Sequence, residues 1–341
     1  MSDYIDALVS EISMEPEWHP LDAVFVGGGT PSRVPPPEME RILEALASRF
    51  GLGSGAEITL EANPEDWTVP CSGRLAGLGF TRVSFGVQSF DPVVLGSLGR
   101  LHSPQQASEA VGIAAASGFD SVSVDLMYGH PDESDDSWVE TLNTTVGLGP
   151  DHVSTYSLTV EPGTELWRQV RSGAPAPDSD TQADRWEQAA RSLGDAGYMR
   201  YEVSNHARPG HACRYNLAVW GQGEYVAFGL GAHSYRDGVR SRRVRRLDTY
   251  IERVRSGIGP IQSSDIISGW DAELERLMLG LRRSAGARAG EGGAALLASA
   301  SGVRLIEAGV LAVEDDRLVA AVPLLTDEII RAVLDLDEPA G

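Results

Sequence analysis

The sequence has no lysine: all 28 of its basic residues are arginine. That absence excludes a Schiff-base lysine, a pyridoxal-phosphate lysine, a Walker-A lysine and a kinase strand lysine. Cysteine is almost as scarce, with Cys71 and Cys213 the only two. Two distant cysteines make neither a disulfide framework nor a three- or four-thiolate metal site, and their scarcity fits the cytoplasm. Positive charge is also short. Forty-nine acidic side chains leave a net charge of −21, which argues against binding to nucleic acid or an anionic membrane. No apolar run approaches the roughly 18 residues that span a bilayer. The amphipathic, acidic start, MSDYIDALVSEISMEPEW, is no secretory signal.

The sequence does contain a repeating alternation of short β-branched runs and amphipathic helical segments. The runs are Leu21–Val26, Ile58–Leu60, Arg82–Phe85, Ser121–Leu126 and His152–Val160. Helical segments fall at Asp3–Met14, Pro37–Phe50, Ser103–Ser117 and Ser134–Val146, with Pro37, Ser134 and Asp136 suited to helix starts. One strand and one helix every 30 to 40 residues predicts the βα units of a parallel sheet. Two further strands are predicted at Tyr198–Val203 and Tyr225–Leu230, and a helix at Leu247–Arg255. From Trp270 the character changes to two or three helices, a loop at Ser284–Ala295, a hairpin at Val310–Val319 and a last helix at Thr326–Leu336. The expected organisation is an α/β core over residues 1–235, a connection over 236–269 and a small winged-helix-like part over 270–341.

Each early strand runs into glycine or polar residues: Gly27-Gly28-Gly29-Thr30, Glu61-Ala62-Asn63-Pro64, Gly86-Val87-Gln88-Ser89, Asp125 with Tyr128-Gly129-His130, and Thr159-Val160-Glu161. Parallel α/β folds form their sites at these strand ends. Gly backbone, Glu61, Gln88, Asp125 and Glu161 are therefore predicted to converge on one rim.

In this order, the motifs VFVGGGTPS, ITLEANPE, RVSFGVQSF, LGRLH, DLMYGHP, YSLTVEPGT, YEVSNHARPGHACRYN and GLGAHSY resemble the radical S-adenosylmethionine (SAM) proteins of the coproporphyrinogen-oxidase-like group. The likeness leans toward the group's heme-chaperone branch. It implies a partial parallel (β/α) barrel, a SAM pocket and a winged-helix-like end. It also implies a heme cargo passed to an acceptor protein; the alternatives are oxygen-independent coproporphyrinogen III oxidation and a cluster-less SAM-binding module. Carried over by motif position, Gly28, Gly29 and Thr30 meet the methionyl part of SAM, with Glu61, Gln88 and Arg100 beside it and Asp125 on the ribose. The group also uses a [4Fe–4S] cluster on a CxxxCxxC loop, which this sequence does not contain. The expectation is a missing upstream segment or a naturally cluster-less relative.

The chaperone branch carries an HNxxYW stretch. Here it reads Tyr215-Asn216-Leu217-Ala218-Val219-Trp220, so Asn216 and Trp220 match while Tyr215 replaces the histidine. Tyr215, Asn216, Trp220 and His233 are the heme candidates, with His206, His211 and Cys213 as further possible ligands. The one basic cluster, Arg240, Arg242, Arg243, Arg245 and Arg246, suits propionates or a phosphate, or is simply solvated.

Overall fold

The computed structural model describes residues 1–338. The largest sheet has seven strands: β1 (Leu21–Val26), β2 (Leu52–Ala62), β3 (Arg82–Gln88), β4 (Ser121–Tyr128), β5 (His152–Ser157), β6 (Met199–Arg200) and β7 (Asn205–Ala207), in the order β1-β2-β3-β4-β5-β7-β6. Strands β2 to β5 are parallel, and β7 then pairs antiparallel with both β5 and β6. This is the partial, mostly parallel barrel that the strand spacing predicts. The chain divides by contact into two compact units: residues 1–23, 35–56 and 213–341, and residues 24–34 and 57–212.

Local chemistry explains the connections. Ser103 and Gln106 form a capping box at the helix Pro104–Ala115, each side chain bonded to the other's backbone N–H. Ser134 caps the helix Asp135–Leu148 by accepting from the Ser137 N–H, while Asp136 lies within the first turn and is no cap.

Pairing register gives the sheet one apolar and one polar face. Leu60, Val83, Val122, Phe85, Val124 and Val153 share the first, which is buried among the helices. Thr59, Arg82 and Ser121 line up across the other face, followed by Glu61, Ser84, Ser123 and His152, then Asp125 and Ser154. Period-two alternation is unusual in a parallel sheet, whose strands are ordinarily apolar on both sides. Here much of the polar side is satisfied internally, although the buried Thr59 hydroxyl has no partner. Arg82 donates to Ser121 Oγ and the His211 carbonyl, both at 2.9 Å, and His152 lies 2.8 Å from both Ser123 Oγ and Tyr201 Oη.

The second sheet joins β8 (His233–Arg236), β9 (Val239–Arg243) and β10 (Ile261–Ile266), all antiparallel. The third joins β11 (Ala287–Arg288), β12 (Leu311–Glu314) and β13 (Arg317–Ala320). Around it pack the helices Gly269–Gly280, Gly290–Ala298, Ala300–Glu307 and Thr326–Leu334, on a core that includes Leu277, Leu296, Leu318, Ile329 and Val333.

Three sequence expectations are corrected. Tyr225–Leu230 is not a strand: Tyr225 makes one bridge to Tyr235, and left-handed Gly229 and Gly231 turn the chain away from extended geometry. Tyr198–Val203 contributes only β6, and the sheet is continued by β7. Ser284–Ala295 is not a simple loop, because it holds β11 and the start of the helix Gly290–Ala298. The glycines there are helical because packing overrides propensity. A Cβ on Gly292 would sit 2.8 Å from Leu277, and the Gly292 N–H donates to Glu273 at 2.9 Å.

Candidate functional site

A cleft of about 210 Å3 opens where β2, β3 and β4 end, lined among others by Gly29, Thr30, Glu61, Gln88, Arg100 and Asp125. All of its lining residues lie in the second compact unit. Gly28 does not line it; its N–H donates instead to Glu61 Oε2 at 2.9 Å. Gly28 and Gly29 are both left-handed, with φ of 80° and 71°. Gly27 has a different reason to lack a side chain: a Cβ there would lie 2.8 Å from Glu61 Oε2. The glycine run therefore wraps a carboxylate and presents backbone to the cleft without side-chain obstruction.

Gln88 is reached through an irregularity. The β3–β4 register slips between Phe85 and Gln88, and Gln88 takes the left-handed region at φ 69°, strained for a non-glycine residue. Its amide occupies the space a side chain at Gly86 would need, with Nε2 3.0 Å from that Cβ position. Next to this bulge, the buried His102 donates from Nε2 to the Val87 carbonyl at 2.9 Å, and its Nδ1 lies 3.2 Å from Glu65. His102 thus holds the strand end that carries Gln88.

Asp125 is half-buried in the cleft lining, and desolvation pushes its carboxyl up to about 6 against the opposing hydrogen bonds from Ser154 and Ser84. Ser84 Oγ lies 3.0 and 3.1 Å from the two carboxylate oxygens. Arg100 is held below its ordinary value chiefly by burial, with Glu65 and Asp125 acting in the other direction. The cleft therefore combines two carboxylates, one desolvated guanidinium, a carboxamide and open backbone. That set suits a ligand bearing an ammonium, a carboxylate and vicinal hydroxyls.

The sequence reading missed Asn63, Ser84 and Gly86, which also line the cleft. Their only signal was position, since each sits within two residues of a named strand-end residue or directly across the sheet from one. Glu161, expected on the rim, is exposed beyond β5 and does not line the cleft.

The heme candidates lie in the first unit. Tyr215, Asn216 and Trp220 are half-buried on the helix Arg214–Trp220, and His233 is exposed at the start of β8. The Tyr215 ring meets Tyr225 edge-on at 6.3 Å, and the Arg282 guanidinium lies 5.7 Å from the Trp220 ring centre. Of the further possible ligands, His206 is fully buried and pushed down to about 4 by burial and Arg200. His211 is half-buried with Nε2 3.9 Å from Asp151, and Cys213 is buried at the start of the Arg214–Trp220 helix.

Comparison with known proteins matches residues 4–145 to the Radical SAM superfamily. Heme chaperone HemW of Mycobacterium tuberculosis is 39% identical over 317 residues, covering 92% of this chain and 81% of that protein. This chain belongs to the HemW family of radical SAM proteins. HemW of Escherichia coli is 38% identical over 235 residues, 68% of this chain and 61% of that protein. Among solved structures, coproporphyrinogen III oxidase HemN of E. coli superposes with a TM-score of 0.82, covering 97% of this chain and 82% of that one. At 21% identity, that likeness is one of fold alone.

Radical SAM membership implies SAM and a [4Fe–4S] cluster. The cleft fits the first: its glycine cradle would be filled by side chains, and its charges complement an amino acid zwitterion. The two cysteines do not fit the second. Cys71 is on the helix Val69–Gly77 and Cys213 precedes the helix Arg214–Trp220, and two thiolates fall short of the three neighbouring ones a cluster needs. Among the described residues no group of three His, Cys, Asp or Glu side chains could hold a metal ion, and no helix is long and apolar enough to cross a membrane.

Proposed function

We propose that this chain is a heme chaperone, binding heme and passing it to an acceptor protein in the cytoplasm, with a SAM pocket in its parallel-sheet unit. The observation that carries this reading is the 39% identity to HemW, which extends over 92% of the chain. Saturable hemin binding by the full chain, followed at the Soret band, is the expected result. A titration that stays linear and unsaturated would overturn it.

In the SAM pocket, Gly29 and Thr30 would hold the methionyl end through backbone and hydroxyl. Glu61 would take the ammonium, Arg100 the carboxylate and Asp125 the ribose hydroxyls, with Gln88 donating and accepting between them. SAM supplies an electrophilic sulfonium, and this chain's residues bind and orient it.

The half-buried, desolvated carboxyl of Asp125 makes binding pH-dependent. Burial raises it to about 6, so below that pH it is protonated and can no longer accept from both hydroxyls as an anion. Affinity for S-adenosylhomocysteine, measured by calorimetry, is expected to be full above pH 7. It should weaken by up to about tenfold per pH unit below 6. Asp125→Asn should bind weakly at every pH and flatten the profile. A wild-type profile that is flat from pH 5 to 8 would remove Asp125 from the ribose position.

A further inference from the structure

We propose that one face of β8 and β9 is the heme seat, with the His233 imidazole ligating the iron and Arg242 and Arg245 facing the propionate carboxylates. This rests on the heme-chaperone reading and adds to it the ligand and the anion partners.

The pairing register places His233 and Arg242 on one face, while Arg245 lies two residues past the end of β9, beside Gly231. His233 is directly opposite Arg242, and Arg242 is in turn opposite Ser263 of β10. Directly opposed residues of antiparallel strands project from the same face. His233 is exposed, so a planar ligand can reach it. Its imidazole is held below its ordinary value by partial burial and then by the fields of Arg242, Arg245, Arg240 and Arg243. A neutral ring is what iron ligation requires.

The five clustered arginines divide by their partners. Arg240 pairs with Glu275, Arg243 with Glu11 at 2.8 Å, and Arg246 with Asp248 at 2.7 Å. Arg242 and Arg245 have no carboxylate within ion-pair distance among the described residues, and Arg242 Nε is buried without a hydrogen-bond partner. The stem of Arg245 lies across Gly231, where an added Cβ would come 3.3 Å from its Cγ. Two uncompensated forks beside one neutral imidazole complement a ligand that has a metal centre and two carboxylates.

The same face supplies aromatic surface. Tyr235, two residues from His233, is opposite Arg240, whose guanidinium lies 5.7 Å from its ring centre. Tyr235 also bridges to Tyr225, which meets Tyr215. The replaced histidine position of the HNxxYW stretch is thus joined, through an edge-on ring contact and a backbone bridge, to the strand that carries His233. On binding, an imidazole nitrogen lone pair forms a bond to ferric iron and displaces its water or chloride, with no electron transferred.

The test titrates hemin and hemin dimethyl ester, whose propionates carry no charge, into the full chain. His233→Ala is expected to shift the Soret maximum and weaken hemin at least about tenfold, with free imidazole restoring the wild-type band. Arg242→Met with Arg245→Met is expected to weaken hemin about 100-fold while leaving the ester's affinity at the wild-type value. Circular dichroism and thermal unfolding of each variant should match wild type, since His233 is exposed and neither arginine is paired. Wild-type hemin affinity and spectrum in both variants would overturn this seat and leave the chaperone reading standing. Equal loss of hemin and ester in the arginine variant would also overturn the propionate assignment. Failure of the wild-type chain to bind hemin at all would overturn the chaperone reading itself.

Discussion

Glu61→Leu is expected to weaken S-adenosylhomocysteine binding by about 100-fold or more, the largest single-residue effect in the SAM pocket. Glu61 has two tasks. Oε2 accepts the Gly28 N–H at 2.9 Å, and the carboxylate fills the volume a side chain at Gly27 would need, so the glycine run is moulded around it. In the proposed SAM pocket the same group would take the ligand's ammonium. A hydrogen bond to a charged group contributes about 1.5–3 kcal/mol, and losing two such interactions exceeds the roughly 2.7 kcal/mol of a 100-fold change. Glu61→Gln separates the tasks: the amide oxygen can still accept from Gly28, but the charge is gone, so an intermediate loss is expected. Isothermal calorimetry on both variants decides the matter. Wild-type affinity in Glu61→Leu would remove Glu61 from the binding site, and equal losses in both variants would assign its whole effect to charge.

Glu11→Ala is expected to destabilise the first unit by about 3–5 kcal/mol, the range for breaking a buried ion pair by removing one partner. The Glu11 carboxylate accepts from Tyr250 Oη at 2.6 Å, Arg243 Nε at 2.8 Å and the Gly229 N–H at 2.9 Å. Its side chain and that of Arg243 are 4% and 3% exposed, so the guanidinium left behind cannot be rehydrated without opening the structure. Glu15, 3.8 Å from Arg243, is too distant to replace the lost hydrogen bonds. Tyr250 is pushed well above its ordinary value, first by burial and then by Glu11, so it keeps its proton for that carboxylate. The expected fall in Tm is at least about 4 °C for a chain of this size. Glu11→Gln retains acceptors for Tyr250 and Gly229 and should lose less. Unchanged thermal unfolding of Glu11→Ala would show that the network contributes nothing net.

The candidate site was legible where the chemistry of one residue suffices. Glu61, Gln88 and Asp125 are charged or strongly polar groups at strand ends, and βα topology sends such ends to one edge, whereas Arg100 was named only by its place in a family motif. Ser84 and Asn63 were not legible. A serine or asparagine in a strand or turn has no signature of its own, and Ser84 matters only because the register sets it beside Asp125. Gln88 was named by type, but its bulge and positive φ arise from a slip against β4 that no local pattern encodes.

Misreadings followed the same rule. The apolar run Tyr225–Leu230 has strand propensity, yet it lacks a continuous partner and is broken by the left-handed Gly229, with Gly231 just beyond it. The end of the expected loop Ser284–Ala295 is helical from Gly290, because Gly292 and Gly293 let it approach Leu277 and Leu318 closely.

Composition and local pattern alone determined that this protein has no lysine chemistry, no three-cysteine set, a strongly acidic surface and a run of βα units. Tertiary structure alone decided which charges are free. Arg240, Arg242, Arg243, Arg245 and Arg246 are chemically identical neighbours in sequence. They differ because carboxylates 35 and 232 residues away come to two of them, a third meets Asp248 on the next helix, and the remaining two have no carboxylate within ion-pair distance among the described residues. Coulomb attraction depends on distance in space, and only the fold converts separation along the chain into that distance.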